Sequence, residues 1–563
     1  MAPTPIPLST CPGSHSVRKA GWSPTSWTYQ RYAAARAELE DSAERVHLAA
    51  GATLFEAGDD ADAAYSLVSG RLEVYVDGAT VRLLGPGAVI GELALLTSGT
   101  RSATVRARRD SELLRLRPEA LLDVMEKHPG AGGAVARVLA GQLAHPAPPA
   151  RRTATSRTVA VVGLHAGAPA QEVARALETS LSRHGSVGSP GPVDGDGLER
   201  AEREHDVVVL VSDVDQDGDP AWWARAVRQA DLVVAVVASG LEPTRARPAV
   251  PPGCDLVVVG PLLDEGARAA WAAAVDAWQL TSLPEVTPAS VRPLADRLAG
   301  RSLGLVLAGG GARALTHVGV LAALEEAGIA VDRIAGCSIG AIVAALHATG
   351  MTTEELKDRL YAEFVRRRPF SDYTVPRAAL AKGQRVHAAL ERSFAGRHIE
   401  GLPRQFRCVS TDLLSRTVVV HRRGPMVDAL RATTALPGLF PPVRLDGRLL
   451  VDGGVLANLP TDALLERDEG PVVAVNVGMG GTPSDASRDP TRPLLIPLLG
   501  ETLLRTMLIG SAGAAATARA AGLVVVTPPT LGVGLLEFHQ FDAMYEAGLT
   551  TGRRLVAEGA LPG

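Results

Sequence analysis

Three changes of texture along the chain predict a multidomain protein: an N-terminal β-roll, a middle α/β unit, and a C-terminal α/β unit with a mainly parallel sheet. From His47 to Leu116 short alternating segments are broken by glycines. From Thr158 apolar runs alternate with helical stretches, the pattern of a parallel layer. From Leu298 the order is strand, glycine turn, helix, strand, serine turn, helix. The 563 residues suffice for roughly three or four domains. The expected division is 1–40 a disordered or helical segment, 41–143 the roll with C-terminal helices, 144–157 a linker, 158–280 the middle unit, 281–297 a second linker and 298–563 the last unit.

In the roll, strands are expected at 53–55, 65–68, 72–76, 81–84, 102–105 and 112–116, with glycines such as Gly58, Gly70, Gly78 and Gly91 at the corners. The stretch Gly87-Ala88-Val89-Ile90-Gly91-Glu92-Leu93, followed by Thr100-Arg101-Ser102-Ala103, resembles the phosphate-binding cassette of cyclic-nucleotide-binding domains. A helix opening after Gly91 offers free N–H groups to an anion. Glu92 can accept from a ribose hydroxyl, and Arg101, with Ser102 beside it, can pair with a cyclic phosphate. The resemblance implies cyclic AMP or cyclic GMP as ligand. Ile90 stands where that family usually has an aromatic, and a cassette kept as a docking element without nucleotide is the competing reading.

The middle unit offers strands at 159–162, 207–211, 232–237 and 256–259, with helices at 170–183 and 222–230. Its first strand leads into Gly163-Leu164-His165-Ala166-Gly167, which lacks both G-x-G-x-x-G and Gly-Lys-Thr and is no nucleotide loop. Asp213, Asp215, Asp217 and Gly218 imitate the start of a calcium loop, but the twelfth position is Ala224, so an acidic surface turn is expected.

The last unit opens with strand 303–308, then Gly309-Gly310-Gly311-Ala312-Arg313, then an amphipathic helix ending at Gly328. An apolar stretch, 329–335, precedes Gly336-Cys337-Ser338-Ile339-Gly340, and an apolar helix-prone run follows. A serine on such a strand-to-helix turn presents its hydroxyl, and Gly336 and Gly340 permit the tight backbone. Ser338 is therefore the candidate nucleophile. Backbone N–H groups of the Gly309–Arg313 stretch are candidate oxyanion donors. Arg313 either orients that turn, holds an anionic head group or makes a structural salt bridge. The candidate base is Asp452, at the end of Gly447-Arg448-Leu449-Leu450-Val451-Asp452-Gly453-Gly454. Taken alone, an ordinary Asp-Gly turn is the better reading of that segment. Segment 353–394, with Phe370 and Tyr373, is either a cover over the site or a packing insertion.

Together the Gly309-Gly310-Gly311-Ala312-Arg313, Gly336-Cys337-Ser338-Ile339-Gly340 and Asp452-Gly453-Gly454 blocks resemble those of patatin-like phospholipases, a family that works with a Ser-Asp dyad. The run from Leu430 to Pro442 resembles the block before the aspartate, with Thr433 where most members have serine and no effect on chemistry expected. With the roll in front, and with Arg228-Gln229-Ala230-Asp231 and Phe538-His539-Gln540-Phe541, the layout is similar to the neuropathy target esterase branch of lysophospholipases. The resemblance spans residues 45–555. It implies hydrolysis of a lysophospholipid or phospholipid ester through a Ser338 acyl-enzyme, with no metal and no cofactor. Two rival readings stand beside it: a Ser-Asp-His triad with His539, and a non-catalytic cyclic-nucleotide sensor.

Composition narrows the partners. The 57 basic against 61 acidic side chains give no basic field for nucleic acid. Cys11, Cys254, Cys337 and Cys408 lack disulfide or metal spacing, which favours a reducing compartment. The start of the chain does not read as a signal peptide. The most apolar long stretch, 503–523, carries Arg505 and Arg519 and reads as a buried or interfacial helix. A cytoplasmic location is expected, with peripheral membrane contact left open. The triplet Arg366-Arg367-Arg368 reads as a solvated helix end.

Overall fold

The structure, a computed structural model, describes residues 43–76, 79–85, 88–91, 99–117, 157–213, 220–243, 250–375, 379–477, 513–530 and 532–561. The N-terminal segment 1–40, the helices after the roll, the linker 144–156, Glu92 and residues 503–512 lie outside the described residues; of the apolar stretch 503–523, Ala514–Ala520 is a short helix with Ala515 and Ala518 buried. The chain divides into two compact units between Ala150 and Arg151.

The first unit is an antiparallel roll of β1 (Glu44–Leu48), β2 (Thr53–Phe55), β3 (Ala64–Val76), β4 (Ala79–Leu84), β5 (Val89–Ile90) and β6 (Thr104–Leu116). Its spine is the long β3–β6 pair, and Leu67, Leu72, Val105 and Leu113 fill its centre. The expected corner at Gly70 is instead a bulge. Gly70 sits at φ 97° inside β3, where a Cβ would lie 2.3 Å from Ser111 Oγ, so the strand kinks and continues.

The second unit contains two sheets. The first holds β7 (Arg157–Gly163), β8 (Val187–Gly188), β9 (Val207–Ser212), β10 (Leu232–Ala238), β11 (Asp255–Val259) and β12 (Gln279–Leu283). All pairs are parallel, in the order β12-β11-β10-β7-β9-β8. Alternate residues of β7 feed two cores: Val159 and Val161 pack under helices Ala170–Leu181 and Arg292–Leu298, while Ala160 and Val162 pack with Trp222 and Trp271. The linker expected at 281–297 is therefore corrected. It contains the end of β12 and the start of helix Arg292–Leu298, whose Leu294, Ala295 and Leu298 are buried against the sheet.

The second sheet holds β13 (Gly304–Leu307), β14 (Arg333–Gly336), β15 (Gln405–Asp412), β16 (Thr417–His421), β17 (Val443–Leu445), β18 (Arg448–Asp452), β19 (Val472–Val475) and β20 (Val524–Val526). Strands β15-β14-β13-β19-β20 run parallel, and β16, β17 and β18 add an antiparallel edge. Strand β14 is shorter than the expected 329–335. Helix Thr316–Glu326 is not amphipathic, because the sheet covers one side and helix Phe541–Ala557 the other. The two helices touch backbone to backbone: a Cβ on Gly319 would meet Tyr545 O at 2.0 Å, and one on Gly548 would meet Thr316 O at 1.9 Å.

Candidate active site

Strands β13 and β14 are parallel neighbours, so the turns after Leu307 and Gly336 leave the same edge of the sheet. Asp452 arrives there from the opposite direction. Strand β15 runs on past β14, with Gly336 opposite Cys408, and antiparallel β18 ends with Asp452 opposite Ser410. Three distant segments thus meet at one level.

Ser338 opens helix Ser338–Ala348 at φ 54°, a left-handed conformation that non-glycine residues rarely hold. Its N–H donates to Thr433 Oγ1 at 3.0 Å, which fixes the elbow. Gly336 and Gly340 are required by space: a Cβ on Gly336 would meet Ala341 at 2.7 Å, and one on Gly340 would meet Ala308 O at 2.5 Å.

The glycine turn sorts its own donors. Gly309 N–H is taken up by Asn458 O at 3.1 Å, Ala312 N–H by Leu535 O at 2.8 Å, and Arg313 N–H by Gly310 O at 3.2 Å. Gly310 and Gly311 N–H have no backbone partner among the described residues, and both glycines line the pocket. Of the expected donors, these two N–H groups are the ones left open at the pocket. Asn458 holds the turn at two points, since its Nδ2 also donates to Gly309 O at 3.1 Å. Arg313 is buried, lines no part of the pocket, and its pKa is lowered by that burial.

Asp452 is 2% exposed. Its Oδ1 accepts from Gly454 N–H at 2.8 Å and from the Cys337 thiol at 3.5 Å. Its Oδ2 is buried with no hydrogen-bond partner of good geometry among the described residues. Burial raises its pKa from the ordinary 3.8 to about 6, against the opposing pull of Ser338, Gly454 N–H and Cys337. Ser338 is close enough to act on the carboxyl group without making a well-formed bond to it. The Cys337 thiol is pushed far up by burial and by Asp452, so it stays protonated and inert.

Ser338, Gly309, Gly310, Gly311, Asp452, Gly454 and Asn458 form the polar floor of a pocket. Its walls are apolar: Phe370, Leu436, Leu439, Phe440, Leu536 and Phe538 among them. Phe370 stacks on Phe538 with ring centres 4.9 Å apart. Segment 353–394 thus contributes Phe370 to the wall, whereas Tyr373 is 64% exposed. Among the described residues no histidine lines the pocket; His539 is exposed beside the wall residue Phe538. Of the buried histidines, His317 is bonded to Ala308 O at 2.8 Å.

Asn458 and the Leu535–Phe538 wall were missed in the sequence. Asn458 stands six residues past Asp452, and a second polar residue close behind the Asp-Gly-Gly turn was the one available signal.

In the roll, Gly91 turns at φ 80° against Arg101. Arg101 is 3% exposed and its guanidinium is engaged with Ala63 O at 2.8 Å, Gly91 O at 3.2 Å, Asp62 at 3.2 Å and the face of Phe55. Ser102 is exposed.

The model of the patatin-like phospholipase family matches residues 305–465, and that of the cyclic nucleotide-binding domain matches residues 45–128. An uncharacterized NTE family protein of Mycobacterium tuberculosis is 34% identical over 565 residues, 93% of each chain. The lysophospholipase NTE1 of Coccidioides immitis is 26% identical over 93% of this chain and 41% of its own length. That of Cryptococcus neoformans is 30% identical over 77% of this chain and 32% of its own. A solved structure, the catabolite activator protein of Thermus thermophilus, is 30% identical over 22% of this chain and 57% of its own, with a TM-score of 0.19. With its serine turn, buried aspartate and glycine donors inside the matched patatin-like span, the chain is an enzyme of the patatin-like phospholipase type and belongs to the NTE family.

Proposed function

We propose that the enzyme hydrolyses the acyl ester of a lysophospholipid or phospholipid with Ser338 and Asp452 alone. One observation carries the reading: a buried aspartate with an oxygen lacking a well-formed hydrogen bond shares an apolar pocket with the nucleophile, and among the described residues no histidine lines that pocket. A carboxyl group with a pKa near 6 is ionised at neutral pH yet basic enough to take a proton from a hydroxyl as attack proceeds. Asp452 removes the Ser338 proton, and Oγ attacks the ester carbonyl. Gly310 and Gly311 N–H hold the oxyanion. Collapse returns the proton from Asp452 to the leaving alcohol and leaves the acyl group on Ser338. Water, deprotonated by Asp452, then attacks the acyl carbon, and Asp452 returns that proton to Ser338 Oγ as the fatty acid leaves. The apolar wall takes the acyl chain.

The test is product analysis on lysophospholipids, diacyl lipids and short esters. Fatty acid release is expected from the wild type and His539→Ala, with loss in Ser338→Ala and Asp452→Asn. Near-total loss in His539→Ala with an intact fold would establish the triad instead.

The regulatory part of the reading is that the roll takes cyclic AMP or cyclic GMP at Gly91 and Arg101 and modulates the hydrolase. Arg101 would exchange its bonds to Gly91 O and Asp62 for the phosphate. Calorimetry with each nucleotide tests this; no heat and no thermal shift with either would remove it.

A further inference from the structure

We infer that the pocket mouth is carried on a surface built to sit on an anionic lipid bilayer, formed by residues 366–375 and 379–385. The inference rests on the lipid-ester reading of the pocket and names the surface that brings substrate to it.

The segment is physically joined to the pocket. It supplies Phe370 to the wall, packed on Phe538 and Phe440. Beyond Phe370 the chain forms a small hairpin: Tyr373 bridges Ala381, Thr374 N–H donates to Leu380 O, and Lys382 N–H to Asp372 O. The returning arm is bonded to the pocket rim, with Leu380 N–H on Gly438 O and Ala381 N–H on Leu439 O, both 2.9 Å. The hairpin cannot move without disturbing the rim.

On the outgoing arm of this hairpin two apolar side chains face solvent. Tyr373 is 64% exposed and Val375 is 81% exposed. Leu536, which lines the pocket, is 47% exposed at the mouth, so apolar surface also opens outward there. Interfacial aromatic and aliphatic side chains beside a cationic surface are what a membrane boundary selects.

The charge beside them is one-sided. The described residues 366–375 and 379–385 contain five basic side chains and one acidic one, in a chain whose formal net charge is −4. Arg366, Arg367, Arg368, Lys382 and Arg385 are all exposed. Arg367 lies 3.6 Å from Glu363, which also holds Arg392, so its charge is partly balanced. The acidic member, Asp372, accepts from Arg385 N–H at 3.2 Å. The triplet at Arg366 is thus more than a solvated helix end: it stands on the segment that walls the pocket and exposes Tyr373 and Val375. Cationic side chains on one segment with exposed apolar ones complement a bilayer carrying anionic head groups, and the matching substrate chemistry lies in the same layer.

The experiment is sedimentation with vesicles of pure phosphatidylcholine and of phosphatidylcholine with about one-third phosphatidylglycerol. Two variant pairs are compared, Arg368→Glu/Lys382→Glu and Tyr373→Ser/Val375→Ser. Hydrolysis of the water-soluble ester 4-nitrophenyl butyrate reports on the pocket itself. Wild type and Ser338→Ala are expected to sediment with the anionic vesicles and weakly with the neutral ones. The charge pair loses affinity by roughly 25-fold or more, from about fivefold per cationic charge. The apolar pair also falls off the vesicles, while both pairs keep the wild-type rate on the soluble ester. Wild-type sedimentation of both pairs overturns the proposal. So does a concentration-dependent dimer that both pairs abolish without any vesicle binding in the wild type. Vesicle binding by a wild type that hydrolyses neither soluble nor lipid ester supports the docking surface and counts against the catalytic reading alone.

Discussion

Asp452 shows how function and stability conflict at a single residue. Its pKa is raised in the folded chain, from 3.8 to about 6, by burial. The folded state therefore holds this proton more tightly than the unfolded chain. The resulting stability is full below pH 3.8 and is lost as pH rises through 6. At neutral pH the buried charge costs about 3 kcal/mol, from roughly two units at 1.36 kcal/mol each. Asp452→Asn keeps an acceptor for Gly454 N–H and removes the charge. The variant is expected to melt above the wild type at pH 7.5 and level with it near pH 4, with acyl transfer down by at least about 100-fold. In the wild type kcat/KM should rise with pH through about 6 and then level off. Calorimetric melts at the two pH values, beside a pH-rate profile, check both halves. A wild-type profile still climbing well above pH 7 would point to a different base.

Among the elements, helices Thr316–Glu326 and Phe541–Ala557 place the glycine turn. The first helix follows that turn directly, and the second covers it through contacts that admit no side chain at Gly319 and Gly548. Gly548→Ala forces a methyl against Thr316 O, 1.9 Å from the ideal Cβ position. The expected loss is about 1–3 kcal/mol of stability. A lowered melting temperature, with kcat unchanged at temperatures where the chain stays folded, is the measurable outcome. This contact could not be read from the sequence, because an apolar stretch with small residues says nothing of what presses on its second face. The same limit explains the segment after Gln279, whose prolines suggested a linker although Leu283, Val291 and Leu294 are buried. The proposed reacting groups could be picked out because each sits in a short contiguous block at a strand end: three glycines, Gly-Cys-Ser-Ile-Gly, and Asp-Gly-Gly. Asn458 and the apolar wall were not, since they depend on chain segments meeting across separations such as 149 residues between Asn458 and Gly309. Gly70 misled for a related reason: a positive φ serves a bulge as well as a corner.

On the scale of the whole second unit, the two sheets are joined by a buried ionic cluster at the end of the hydrolase strands opposite the active site. Glu469, 6% exposed, accepts from Arg297 at 2.8 Å, from Trp278 Nε1 at 3.0 Å and from Gln405 at 3.0 Å, with Arg333 at 3.8 Å. Arg297 and Trp278 come from the first sheet's layers; Arg333 and Gln405 begin β14 and β15. Arg297 also pairs with Asp255 at 2.8 Å, and Arg407 donates to Trp278 O at 3.0 Å. The middle sheet is thus a structural half of the hydrolase, not a tethered neighbour. Burial alone would raise the pKa of Glu469, but Arg297, Arg333 and Arg467 outweigh it and hold it at about 2, below the ordinary 4.5. A depressed carboxylate contributes stability above pH 4.5 and loses it as pH falls toward 2. The shift corresponds to about 3 kcal/mol. Glu469→Gln leaves buried guanidinium groups short of a counter-charge and is expected to cost about 3–5 kcal/mol at neutral pH. It should also flatten the acid limb of the stability curve that is expected for the wild type between pH 4.5 and 2. Ser338 lies at the far end of β14 from Arg333, so the folded variant should keep its kcat on a soluble ester. Equilibrium unfolding across that pH range, with activity measured in parallel, tests the joint. A variant as stable as wild type at pH 7 would show that the two sheets are held by their apolar contacts alone.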